Sequence, residues 1–166
     1  MNDARYIDTR FDPDVTRLHE IAKDMAAAFG YTATLGIDGE LAQLLRLRVA
    51  QLNPCSYCLI LHTEAAHAAG STRAKVAHLL SWRESTLFSP EEKAALEYAE
   101  MLTVFDQVGF AAAHARMVEL FDERSIAEVA SVVINMNVWT RLKLAQGATP
   151  VGGDEQDPAD VERQSR

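Results

Sequence analysis

The sequence predicts an all-α fold, a single helical bundle, and three observations carry that reading. Apolar residues recur at three- and four-residue spacing through most of the chain, the period of a helix with one buried face. The periodic stretches open on capping residues, and several close on glycine. No stretch shows the strict alternation of a half-buried strand. Val132-Val133-Ile134 is β-prone, yet it lies inside a longer helical pattern, and length decides for helix.

Residues 1–11 read as a polar lead-in anchored by Tyr6, Ile7 and Phe11, and 12–147 as the helical domain. Asp12-Pro13 marks a helix start; Val15, Leu18, Ile21, Ala22, Met25, Ala26 and Phe29 follow at helical spacing, and Gly30 closes the run. A glycine-bearing connector, 31–39, leads to a helix from Glu40 to Leu52. Its Leu41, Leu44, Leu45, Leu47, Val49 and Leu52 surround most of the circumference, which makes it a central helix. Arg46 and Arg48 interrupt that surface. Together with Arg141 they read as structural ion-pair partners, because a buried arginine needs a carboxylate, and Glu84 or Glu97 could serve.

Asn53 is a good N-cap and Pro54 a good first residue, so the next helix is expected from Pro54 to about Ala69, stopped by a left-handed Gly70. Ser71 or Thr72 caps a short helix to about Trp82. Ser89-Pro90-Glu91-Glu92 carries a capping box and opens a helix through Ala94, Ala95, Tyr98, Met101, Leu102 and Phe105 that breaks near Gly109. Another spans about Phe110 to Phe121, and Asp122 caps the last long helix, with Ile126, Val129, Val133, Val138 and Leu142. Residues 148–166 turn polar and read as a loose C-terminal tail.

At 166 residues the chain can bury a real core without staples. Its net charge of −8 repels nucleic acid and anionic membranes, and no basic run overrides that field. No apolar run approaches the ~20 residues of a membrane span. Met1-Asn2-Asp3-Ala4-Arg5 lacks an apolar signal core, so a cytoplasmic protein is expected. In a reducing compartment two cysteines point to redox chemistry or metal binding.

Those cysteines form Cys55-x-x-Cys58, with His62 four residues further on. On a helix, Cys55 and Cys58 are i, i+3 neighbours and Cys58 and His62 are i, i+4 neighbours, so all three share one face. Cys55 is expected in the first turn, where the positive end of the helix dipole favours a thiolate. An imidazole with an ordinary pKa of ~6.5 stands where it could accept the proton of Cys58. A zinc site is the competing use of these donors, with His67 or His114 as a fourth ligand; no second ligand pair is visible, so no metal is assigned. His19, His67, His78 and His114 lack the spacing and read as ordinary residues. Trp82, Trp139, Phe105, Tyr98 and Met101 read as core or subunit interface, and Asn135 and Asn137 as members of a polar network.

Through Cys55-x-x-Cys58-x-x-x-His62 the chain resembles the alkylhydroperoxidase D-like, carboxymuconolactone decarboxylase superfamily. Leu45-Arg46-Leu47-Arg48-Val49-Ala50-Gln51-Leu52-Asn53 is similar to the family's lead-in helix. Ser81-Trp82-Arg83-Glu84-Ser85 with Leu87-Phe88-Ser89, and Ile134-Asn135 with Trp139-Thr140-Arg141, resemble its later segments. The resemblance covers roughly residues 10–146. It implies an all-helical subunit assembled into homotrimers or homohexamers. It also implies a hydroperoxide reductase without metal or haem, recharged by a dihydrolipoyl- or thioredoxin-like dithiol. By the same resemblance Cys58 attacks the peroxide, Cys55 resolves the product, and His62 belongs to the proton relay.

The chain departs from the family at the relay glutamate, whose position is taken by Gln43. A neutral amide hydrogen-bonds an imidazole but takes up no proton. Glu40, one turn earlier on a similar face, is the candidate replacement. Tyr57 stands where the alkylhydroperoxidase often has histidine. The alternatives are a carboxymuconolactone decarboxylase-type enzyme, whose chemistry needs no dithiol, and a non-catalytic redox sensor.

Overall fold

The computed structural model describes residues 5–151, and the bundle is built around one helix. Asp38 caps it by accepting from the Leu41 N–H, and α2 (Gly39–Leu52) then buries Leu41, Leu44, Leu45, Leu47 and Val49. Burying each such side chain stabilises the fold by about 1.5–3 kcal/mol. The helix is covered on several sides, by α3 (Ser56–Ala68), α5 (Pro90–Val104) and α7 (Glu123–Gln146). Outside that centre α1 (Leu18–Phe29) lies on α7, α6 (Gln107–Leu120) lies on α5, and α4 (Arg73–His78) follows α3. No helix among the described residues is long and apolar enough to cross a membrane.

The expected all-α class holds, with one addition. β1 (Arg5–Asp8) pairs antiparallel with β2 (Ala148–Val151), Arg5 opposite Val151 and Asp8 opposite Ala148. The lead-in and the start of the polar tail are therefore strands that close the bundle; the rest of the tail, 152–166, lies outside the described residues. Thr9 and Arg10 continue the pairing by donating to the Gly147 and Gln146 carbonyls. Gly147 ends α7 at φ 73°, and a Cβ there would strike Thr9 Oγ1. The ribbon therefore requires a glycine at this turn.

Three boundaries differ from the sequence reading. Asp12 caps only a single 3-10 turn, Pro13–Val15, after which extended Thr16 breaks the run and α1 begins at Leu18. The break expected near Gly109 falls at Phe105, in the left-handed region at φ 59°, because Asp106 then caps α6 by accepting from Val108 and Gly109. Asn53 and Pro54 do not start α3. Asn53 ends α2 by donating its N–H to Val49, while its amide donates to Asn137 Oδ1 and Thr140 Oγ1, each at 3.0 Å. The N-cap is Cys55, one residue before the helix, and its sulfur accepts from the Cys58 N–H at 3.3 Å.

Arg48 is paired, though neither with Glu84 nor with Glu97. Glu100 accepts from Arg48 Nε, Arg83 Nη2 and Trp82 Nε1, each at 2.7 Å. Burial pushes the Glu100 carboxyl up, but these three donors hold it below the ordinary carboxylate value. Removing the anion strands the buried donors of Arg48 and Trp82, which come from two segments, and releases the more exposed Arg83. Glu100→Gln is expected to cost about 3 kcal/mol, read as a lower urea midpoint; an unchanged midpoint would show the cluster is not structural.

Candidate functional site

A turn of three residues, 53–55, reverses the chain between α2 and α3, which pack closely on each other, and sets the sulfurs in the core. The Cys55 N–H donates to the Ala50 carbonyl, which fixes the turn. Cys55 and Cys58 form a disulfide, with Cα atoms 5.3 Å apart, and both are buried. One turn along α3, His62 is buried on the same side, against the edge of Tyr31 with ring centroids 6.1 Å apart.

A cavity of about 290 Å³ opens onto this group between α1, α2, α3 and α7. Cys58 and His62 line it, and Cys55 does not. Ala26, Leu61, Met136 and Trp139 give it an apolar wall, and Tyr57 stands at its edge. The ribbon supports that edge, with Tyr6 of β1 packed on Tyr57 at 4.5 Å between centroids.

The wall also carries Arg46, which the sequence reading had paired with a carboxylate. The structure corrects this: the guanidinium donates from Nη2 to the Phe29 and Gly30 carbonyls, each at 2.8 Å, and its Nε has no partner among the described residues. Glu97, one of the candidates, faces Arg116 instead. Burial brings the Arg46 pKa down to about 10, so the charge persists at neutral pH. Burial first, and the Arg46 charge second, push His62 down to about 3. The imidazole is therefore neutral across the physiological range, with Nδ1 unpartnered among the described residues.

The two candidate relay residues stand elsewhere. Glu40 accepts from Ser71 Oγ at 3.0 Å and pairs with Lys75 Nζ at 2.9 Å, which commits its carboxylate away from the cavity. Gln43 donates to the Tyr31 carbonyl at 2.9 Å and leaves its Oε1 buried and unpartnered among the described residues. Neither lines the cavity that Cys58 faces. Among the described residues no group of three or more His, Cys, Asp or Glu could hold a metal ion. His67 is bonded to the Ser71 carbonyl, and His114 lies against Tyr98 and Phe110.

Spacing within one helix identified Cys58 and His62. It missed Arg46, Asn135, Trp139, Tyr31 and Lys143, which come from other elements. One signal was present for Arg46: its neighbours one turn away are Ala42, Gln43, Val49 and Ala50, so its own helix offers no carboxylate.

The depressed pKa of His62 has a stability consequence. An unfolded chain protonates this imidazole near 6.5, whereas the folded protein resists until about 3. Between those values the unfolded state binds the extra proton, so stability falls as pH drops, by roughly 1.4 kcal/mol per unit at full slope. His62→Gln should flatten this limb in urea midpoints followed from pH 7.5 to pH 5. Parallel curves for variant and wild type would show that folded His62 takes up its proton normally.

Known proteins resemble the chain in sequence and in fold. The sequence profile of the carboxymuconolactone decarboxylase family matches residues 19–101, from α1 through most of α5. Uncharacterised protein YdfG of Bacillus subtilis (strain 168) is 32% identical over 123 residues, covering 70% of this chain and 80% of the relative. Uncharacterised protein YnjA of Escherichia coli (strain K12) is 32% identical over 110 residues, covering 66% of this chain and 60% of the relative. Among solved structures, a protein of unknown function from Agrobacterium tumefaciens, proposed to be the antioxidant defence protein AhpD, superposes with a TM-score of 0.77. The match has 18% identity and covers 87% of this chain and 99% of that one. A peroxidase-related protein from Silicibacter sp. TM1040 gives 0.65 at 17% identity, covering 80% and 70%. At these identities the structures speak for the fold alone. The profile match and the coverage of YdfG go further: the chain belongs to the carboxymuconolactone decarboxylase family, in the all-helical AhpD-like fold.

Proposed function

We propose that the protein reduces hydroperoxides with the Cys55–Cys58 dithiol, which cycles through the disulfide. The observation that carries this reading is the asymmetry of the pair: the cavity reaches Cys58 and His62 but not Cys55. A substrate in the cavity thus meets one sulfur, and the other waits beside it to resolve the product.

In the reduced enzyme, the Cys58 thiol loses its proton to solvent, favoured by the Arg46 charge and by the N-terminal turn of α3. The thiolate attacks the outer oxygen of the hydroperoxide. The O–O bond breaks, Cys58 becomes a sulfenic acid, and the alkoxide leaves. That alkoxide needs a proton. The buried imidazole is neutral, so His62 acts as a relay: its N–H proton passes to the leaving oxygen while its other nitrogen takes one that comes from water. The Cys55 thiol then condenses with the sulfenic acid, releasing water and forming the disulfide. An external dithiol, dihydrolipoyl- or thioredoxin-like, reopens it by exchange and is itself oxidised.

A cytoplasmic location fits this cycle, since such dithiols are kept reduced there. A homotrimer or homohexamer is the assembly proposed with this activity, and exposed Val104, Phe105 and Val108 at the α5–α6 corner are apolar surface compatible with one.

Two measurements test the chemistry. Cys58→Ser should abolish hydroperoxide consumption with a dithiol donor, while Cys55→Ser should still consume one equivalent and leave a sulfenic acid that a 1,3-diketone traps on Cys58. Wild-type protein that oxidises once and never turns over would support the redox-sensor reading instead. Gln43→Glu restores a carboxylate at the relay position and should raise turnover roughly tenfold; an equal rate would exclude position 43 from proton transfer.

A further inference from the structure

We propose that the cavity at Cys58 is a binding site for an organic anion, an apolar body against Ala26, Leu61 and Met136 with its carboxylate on Arg46. The chain as a whole is strongly acidic, yet no aspartate or glutamate lines this cavity. Its charged walls are Lys23, Arg46 and Lys143. Lys23, at 3.8 Å, and the neighbouring His19, at 2.7 Å, lean on the carboxylate of Asp14. The other two have no carboxylate at ion-pair distance among the described residues.

Arg46 is the deeper of the two, only 2% exposed, with both hydrogen bonds going to neutral carbonyls. Such a charge is costly to bury without a counter-ion, and its Nε is left without an acceptor. Lys143 lies half-buried nearer the mouth, its Nζ over the rings of Tyr57 at 4.8 Å and Trp139 at 5.7 Å. Burial lowers its pKa. Two further polar atoms of the wall, Trp139 Nε1 and Asn135 Oδ1, are buried and unpartnered among the described residues. A carboxylate is the acceptor these unpartnered donors, Arg46 Nε and the indole N–H, call for. The apolar surface between them excludes a small hydrated anion and favours one with a hydrocarbon body.

The substrate class follows, resting on the reductase reading above: hydroperoxides of apolar carboxylic acids, the acid on Arg46 and the peroxide toward Cys58. The binding site itself does not depend on that reading. It can be tested on the disulfide form, where no turnover occurs.

The probe pair is phenylacetate and phenylacetamide, equal in shape and different in charge, titrated into oxidised protein at pH 7 by calorimetry, with quenching of tryptophan fluorescence as a second signal. The acid should bind at least tenfold more tightly than the amide, and raising salt should narrow the gap. Arg46→Met should abolish the preference. Should that variant fail to fold, Lys143→Met, which removes the charge at the mouth, should weaken the acid severalfold and leave the amide unchanged. Equal binding of acid and amide, no binding of the acid, or an acid affinity indifferent to the charge variants overturns the anion site. In the reduced enzyme, a carboxylated aromatic hydroperoxide should show a lower KM than its methyl ester. Peroxidase turnover without that difference would leave the reductase reading standing and remove the acid as its substrate; acid binding without any turnover would do the reverse.

Discussion

The burial of α2 on nearly every side is the constraint from which the rest of the structure follows. A helix with so little surface left buries nine of its fourteen residues, Gln43 and Arg46 among them, and half-buries Arg48. Each polar group must then be satisfied from another element, and the three cases differ. Arg48 finds the Glu100 carboxylate, Gln43 finds one backbone carbonyl, and Arg46 finds two carbonyls that carry no charge. The uncompensated cation ends up beside the cavity. There it helps keep His62 neutral and sets the field that an entering molecule meets.

The turn after α2 does the remaining work of placing the sulfurs. Asn53 and Pro54 look like the opening of a helix, and their residue types suit that role. The structure uses Asn53 to tie the end of α2 to α7, because two acceptors on α7 lie within reach of its amide. The helix start therefore moves on to Cys55, which takes the cap position. From there its sulfur meets both the Cys58 N–H and the Cys58 sulfur. The thiol pair is thus held by the same turn that joins α2 to α3, two closely packed helices.

The ribbon completes the site from the far ends of the chain. Four residues at one terminus pair with four near the other, and Tyr6 reaches Tyr57 directly before Cys58. Such short strands leave no readable pattern. Arg5–Asp8 and Ala148–Val151 each lack the length over which alternation becomes a signal, and their partners lie about 140 positions apart. Their pairing depends on α1 and α7 running side by side, which brings the two ends together.

Local spacing and composition were enough for the sequence to declare an all-helical bundle with α2 at its centre, the capping box at Ser89, the left-handed Gly70 and the one-turn spacing of Cys58 and His62 on α3. All of these depend on residues within a few positions of one another, where helix geometry is fixed. Only the tertiary structure decided which buried polar group meets which. Arg48 and Glu100 are 52 residues apart, Asn53 and Thr140 are 87 apart, and no periodicity links them. The same holds for the cavity: Arg46, His62, Asn135 and Trp139 come from three helices, and the fate of the Arg46 charge depended on which carboxylates the packing left within reach. A side chain's type limits what it can bond. Only the folded chain determines what it does bond.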